Sequence, residues 1–88
     1  MQTREITIGS PNGLHMRVAA SIAKLSQDHE TEIKLIDPDD REANGSSVLD
    51  MLTLGAQHGV TLRVILDGPQ ENLVARQLED LLATPTPR

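Results

Sequence analysis

The sequence has no cysteine and no phenylalanine, tyrosine or tryptophan. Without cysteine there is no disulfide framework, no thiolate nucleophile and no zinc knuckle, which suits a reducing compartment. Without aromatic rings there is no platform for stacked bases and no aromatic cage, so the core must come from Ile, Leu, Val, Met and Ala. Positive charge is also scarce. Eight Lys and Arg stand against 13 Asp and Glu, for a formal net charge of −5, and the cations are scattered. Phosphate-backbone affinity needs a basic patch, so no nucleic-acid partner is expected. No apolar run approaches membrane-spanning length, and "MQTREITIG" has charges where a signal peptide needs an apolar core. Membrane insertion is therefore not expected, and the expected location is cytoplasmic. No Ser-His-Asp order, paired carboxylates or metal-ligand spacing stand out, so neither a metal nor another cofactor is expected.

Eighty-eight residues predict one domain over 1–88, able to bury roughly 60% of its unfolded surface. "TREITI" alternates, placing a half-buried strand over residues 2–8. "GSPNG" is turn chemistry. From Met16 to about Asp28, Val18, Ala19, Ile22, Ala23 and Leu25 recur at helical spacing. "TEIKLID" reads as a second strand with Ile33 and Leu35 inward, "DPDD" as a turn, and "REA" as a short edge strand. In "NGSSVLDMLTLG", Ser47 and Asp50 have capping-box spacing and Gly55 is placed to end a short helix. "VTLRVIL" is a strand with Val60, Leu62, Val64 and Leu66 on one face. "DGPQ" opens a last helix with Pro69 near its first turn and Val74, Ala75, Leu78, Leu81 and Leu82 as its buried stripe. Residues 83–88, with "TPTPR", read as a frayed tail. The order β-α-β-β-α-β-α predicts an α+β fold, an open-faced sandwich of four antiparallel strands with three helices on one face. A ferredoxin-like arrangement is the neighbouring topology.

In "PNGLHMRVAA", a histidine stands between a turn and a helix start. The first amides of a helix have no intrahelical acceptor, and the peptide dipoles give that end partial positive charge. Together with Arg17 they disfavour a cationic imidazole, and a neutral ring is a nucleophile. A phosphoryl group on His15 would lie against free amides and a guanidinium, a ready anion site. The plainer reading is that His15 only caps the helix. His29, at a helix end, and His58, in a loop, are expected to be structural or neutral.

The segment "PNGLHMRVAA" resembles the Gly-Leu-His-x-Arg-Pro-Ala pattern of HPr, the histidine-containing phosphocarrier family of the bacterial phosphoenolpyruvate-dependent phosphotransferase system. "SSVLDMLTLGAQHG" resembles its second-helix segment, "GPQENLVARQLEDLL" its last helix, and "GPQE" is similar to the nitrogen-related branch. The likeness runs over nearly all of residues 3–83. It implies a carrier rather than an enzyme, active in sugar transport, which accepts a phosphoryl group from phospho-Enzyme I and passes it to a histidine of an Enzyme IIA. His15 becomes the phosphorylated residue, at Nδ1, with Arg17 stabilising the phosphate. Asn12 and Gly13 shape the loop, and Met16 belongs to the binding surface.

A docking face would draw on Met16, Ala20, Val48, Leu49 and Leu52, rimmed by Lys24 and Thr53; the competing reading puts Val48, Leu49 and Leu52 in the core. In one branch of the family the serine at position 47 is phosphorylated by a kinase, which makes Ser47 a regulatory candidate and a serine kinase a candidate partner, although capping alone explains a serine there. The chain is expected to be a monomer. Two positions depart from the pattern. Val18 replaces the family proline and restores one amide at the anion end. Asp50 stands where many members carry a lysine or a neutral residue, and its charge bears on docking to an acidic Enzyme I surface. The alternatives are a regulatory HPr-like protein of nitrogen or carbon signalling, and a small acidic interaction domain in which His15 merely caps.

Overall fold

The structure, a computed structural model, describes residues 1–83. Its elements are β1 (Gln2–Thr7), α1 (Met16–Asp28), β2 (Glu32–Ile36), β3 (Glu42–Asn44), α2 (Val48–Thr53), β4 (Thr61–Asp67) and α3 (Glu71–Ala83). The tail "TPTPR" lies outside the described residues, whereas Ala83, expected to fray, still belongs to α3. The strands form one antiparallel sheet in the order β1-β4-β2-β3. Inserting β4 between β1 and β2 sets aside the ferredoxin-like alternative, in which β3 would take that inner place. Leu35 pairs with Val64 of β4 on one side and Ala43 of β3 on the other, so the register carries apolar residues onto one face. Ile6, Ile33, Leu35, Leu62, Val64 and Leu66 are all buried there.

The helices cover that face because their apolar stripes match it. Val18, Ala19, Ile22, Ala23 and Leu25 are buried on α1, and Val74, Ala75, Leu78 and Leu82 on α3. Leu81, predicted in the α3 stripe, is only partly buried and packs at the margin of the core. Each aliphatic side chain fully buried contributes about 1.5–3 kcal/mol, so a core without rings is built from many moderate increments. None of the described helices is long and apolar enough to cross a membrane.

Helix α2 starts after Ser47 as predicted, but only half of the capping box forms. Ser47 Oγ accepts from the Asp50 amide at 3.2 Å, as a cap should. The reciprocal half of the capping box does not form. The Asp50 carboxylate instead accepts from the Asn44 amide at 2.7 Å, while the Ser47 amide donates to the Asn44 carbonyl at 3.1 Å. A short Asp side chain is taken by the nearer turn amide where Glu or Gln would reach the cap. After Thr53 the chain passes through Leu54 to Gly55, whose φ of +60° turns the backbone out of the helix as predicted.

The turn between β2 and β3 is held by Asp37. This buried carboxylate accepts from the amides of Asp39 (3.0 Å) and Arg41 (2.9 Å) and from Arg41 Nε (2.8 Å). Arg41 also donates to the Leu54 carbonyl at 3.2 Å, tying the turn to the end of α2. Burial by itself pushes the Asp37 carboxyl up, but the Arg41 amide and guanidinium and the Asp39 amide outweigh it and hold it below its ordinary value. A carboxyl lowered in the fold stabilises fully above its unfolded value, and that contribution is lost as pH falls through the lower native one. Melting temperatures followed from neutral pH down through the carboxylate range should therefore fall more steeply for the wild type than for Asp37→Asn. Parallel acid profiles would assign the acid sensitivity to other carboxyls.

Candidate functional site

The loop that carries His15 is anchored at four points, each through the backbone. Beyond β1, the Ile8 amide donates to the Val60 carbonyl (2.9 Å), and the Gly9 amide to the Leu82 carbonyl (2.8 Å). The Pro11-Asn12 turn closes with the Gly13 amide on the Ser10 carbonyl at 3.0 Å, and the Leu14 amide donates to the Ala56 carbonyl at 2.9 Å. Leu14 itself is buried and locks the loop to the core. Gly13 is required in this path. Its φ is +69°, and a Cβ there would stand 2.5 Å from the Ala56 carbonyl oxygen and 2.8 Å from Gln57 Cα. Gly13 is buried and acts from behind the surface.

His15 follows as the N-cap of α1, in extended geometry (φ −102°, ψ 177°), and its side chain makes no cap hydrogen bond. The reading of His15 as merely a cap therefore loses its physical basis. Nε2 is buried without a hydrogen-bond partner. The first intrahelical bond runs from the Ala19 amide to the His15 carbonyl at 2.9 Å. The amides of Met16, Arg17 and Val18 precede it, and no acidic side chain occupies the first turn. That end of α1 thus keeps the donors and partial positive charge of an uncapped helix start.

Asn12, His15, Met16, Arg17 and Ala20 line one open cleft of about 620 Å³. Arg17 is exposed and makes no ion pair among the described residues. The cleft so combines an imidazole, an unpaired guanidinium and free amides around one open space. Met16 is 66% exposed beside it. On α2, which packs against α1, Leu49 is 77% exposed, whereas Val48 and Leu52 are partly buried against the core. Thr53 is exposed and its hydroxyl donates to the Asp50 carbonyl.

Lys24 does not join the His15 cleft. It pairs with Asp28 at 3.3 Å and lines a second cleft, of about 440 Å³, between α1 and α3. His29 caps the end of α1 and its Nδ1 bonds Gln70 Oε1, a structural role, and His58 is exposed in its loop. Among the described residues no group of three or more His, Cys, Asp or Glu is placed to hold a metal ion. The residues that sequence reasoning missed are Ala56 and Gln57, whose backbone backs the His15 loop. Their only signal was the pair of glycines around "AQH", Gly55 and Gly59, both with positive φ.

Against this geometry, the family model described as the PTS HPr component phosphorylation site matches residues 2–84. The chain belongs to the HPr family. It is 32% identical over 84 residues to the phosphocarrier protein HPr of Buchnera aphidicola, covering 96% of this chain and 98% of that protein. With the phosphocarrier protein HPr of Borreliella burgdorferi it shares 30% identity over 82 residues, covering 93% and 94% of the two chains. Among solved structures, HPr-C-His from Thermoanaerobacter tengcongensis superposes with a TM-score of 0.85 at 25% identity, over 97% of this chain and 94% of that one. Within the HPr pattern, Val18 stands in place of proline with its side chain 7% exposed. It fills the core as an aliphatic residue and leaves its amide at the helix start.

Proposed function

We propose that this HPr-family chain is a phosphoryl carrier of the phosphotransferase system, accepting its group from phospho-Enzyme I on His15 and passing it to a histidine of an Enzyme IIA. The observation that supports this reading best is the shared cleft, in which His15 faces an unpaired Arg17 at an uncapped helix start. Burial of Nε2 favours Nδ1 as the acceptor. With the ring proton on Nε2, the Nδ1 lone pair attacks phosphorus. The bond from phosphorus to the donor breaks, and its electron pair stays on the donor. The phosphoryl oxygens then face the guanidinium and amides, which stabilise them by charge-assisted hydrogen bonds. Delivery to the acceptor reverses these steps and restores free His15. The chain therefore ends each half-reaction chemically changed, as a carrier does.

Docking would use the exposed Met16 and Leu49 with Ala20 and the margins of Val48 and Leu52, and it belongs to the cytoplasm where the soluble phosphoryl donors work. Asp50 sits at the start of α2 with its carboxylate engaged by Asn44, which keeps one negative charge at the border of that face. Incubation with Enzyme I and labelled phosphoenolpyruvate tests the proposal and should yield an acid-labile, base-stable phosphoramidate. An unlabelled chain, or a label stable to acid, would refute it. In the same assay Arg17→Ala should slow transfer by about tenfold or more, the scale of one charge-assisted contact. Its melting temperature should barely move, because the guanidinium is exposed and unpaired; a large melting shift with normal transfer would make Arg17 structural.

A further inference from the structure

We infer that Asp50 is a positioning residue for the docking face, acting through its bond to the edge strand β3 rather than through its charge. The inference rests on the phosphocarrier reading and deepens it. Helix α2 has six residues and a single buried one, Met51. So short a helix has too few internal hydrogen bonds to hold its own orientation. The direction in which it presents Leu49, 77% exposed, is therefore set by what ties the helix down. Asp50, the next residue, is bonded through three of its atoms. Its amide donates to Ser47 Oγ at 3.2 Å, its carbonyl accepts from the Thr53 hydroxyl at 2.6 Å, and its carboxylate accepts from the Asn44 amide at 2.7 Å. The first two bonds stay within the helix and its cap. The third crosses to β3.

The sheet gives the same answer from the other side. Strand β3 is an edge strand, bonded to β2 alone. Asn44 lies opposite Lys34 of β2, yet its amide goes to Asp50 and its carbonyl takes the Ser47 amide at 3.1 Å. Both backbone groups of Asn44 thus point away from the sheet and toward α2. Such outward groups on an edge otherwise face water or invite another strand; here they seat a helix. The Asn44 side chain fixes the connection, because its Oδ1 accepts from the Ser46 amide at 2.9 Å and the Ser46 hydroxyl at 2.8 Å. Of the two bonds from Asn44 to the start of α2, the one from Ser47 uses backbone, which any residue but proline supplies. The one to Asp50 depends on the side chain. A lysine at position 50, as the HPr pattern often has, would offer the Asn44 amide no acceptor.

The test uses the full chain with Enzyme I and phosphoenolpyruvate, comparing wild type, Asp50→Ala and Asp50→Asn. Alanine removes both the charge and the acceptor, whereas asparagine removes the charge and keeps an oxygen for the Asn44 amide. Transfer is measured at about 0.5 M salt, where the long-range effect of a surface charge is largely screened. Under those conditions Asp50→Ala should raise KM for the carrier about fivefold, the scale of one hydrogen bond, with little change in kcat. Asp50→Asn should recover most of that loss. Equal KM values for wild type and Asp50→Ala would overturn the inference. So would an equal loss in both variants, which would place the effect in the charge, or a loss confined to kcat, which would place it in the chemistry. The wild-type chain supplies a reading that needs no substitution: by hydrogen exchange the Asn44 amide should be protected like those of the inner strands, and exchange at the rate of an open edge would overturn the bond. A wild-type chain that takes no label overturns the carrier reading, and the docking role with it, while the exchange of Asn44 still reports the bond, so the two failures are told apart.

Discussion

A His15→Ala variant should take no label from phosphoenolpyruvate and Enzyme I, while its melting free energy stays within about 1 kcal/mol of wild type. The expectation has two parts with separate physical grounds. Loss of labelling is complete because the remaining histidines are placed for other tasks. His29 is held at the end of α1 by Gln70, and His58 is exposed in its loop and does not line the cleft that His15 shares with Arg17. Preservation of the fold follows from what the His15 side chain does not do. It makes no cap hydrogen bond, and its buried Nε2 has no partner. Truncation removes some packing and at the same time removes a polar atom buried without compensation, two effects of opposite sign. Helix α1 keeps its backbone start, because the bond from the Ala19 amide uses the residue-15 carbonyl, which alanine retains. Phosphotransfer and thermal melting on the same preparation check both parts. Residual label at wild-type stoichiometry would remove His15 from the chemistry.

Gly13→Ala should be the most damaging single methyl in the loop. The residue has a φ of +69°, and the added Cβ would meet backbone atoms, the Ala56 oxygen at 2.5 Å and Gln57 Cα at 2.8 Å. Backbone cannot rotate aside as a flexible side chain can. The left-handed conformation costs an alanine about 1–2 kcal/mol, and relief of the overlap by local displacement about 1–3 kcal/mol more. A loss of about 2–5 kcal/mol is expected, which for a domain of this size is a fall in melting temperature of about 10 °C or more. The displacement would also fall on the adjoining bond from the Leu14 amide to Ala56, and so move His15. Phosphotransfer measured well below the melting point should therefore drop as well. A variant that melts like wild type would show that the Ala56 loop gives way freely, and would remove it from the positioning of His15.

How far these properties were legible in the chain differs by residue. The alternation in "TREITI" and "VTLRVIL" and the helical spacing from Val18 to Leu25 placed β1, β4 and α1 to within about a residue, because strand and helix periods are local properties of the backbone. The joint presence of His15 and Arg17 at a helix start was equally local. Lys24 was less tractable. Eight residues on from Met16 it reads as a rim for a docking face, but it pairs with Asp28 and lines the cleft between α1 and α3. Val48 and Leu52 were readable either as core or as surface, since a six-residue helix has too few turns to define its buried side. Contact with the core from α1 and β3 decided it in part, leaving Leu49 outside and the other two at the margin.

By itself, the sequence determined the kinds of elements, the turn at Pro11-Asn12-Gly13, and the pairing of an imidazole with a guanidinium at the start of α1, because each depends on residues only a few positions apart. It also excluded aromatic, thiolate and strongly basic recognition through simple absence. Only the tertiary structure decided that β4 enters between β1 and β2, which depends on pairings of residues some sixty positions apart. It alone brought the Ala56 carbonyl to the Leu14 amide, turned His15 Nε2 inward and gave the Asp50 carboxylate to Asn44 in place of Ser47. Each of these is a choice among several donors or acceptors of equal chemistry. Proximity in the folded chain makes that choice, and no local pattern records which groups will be near.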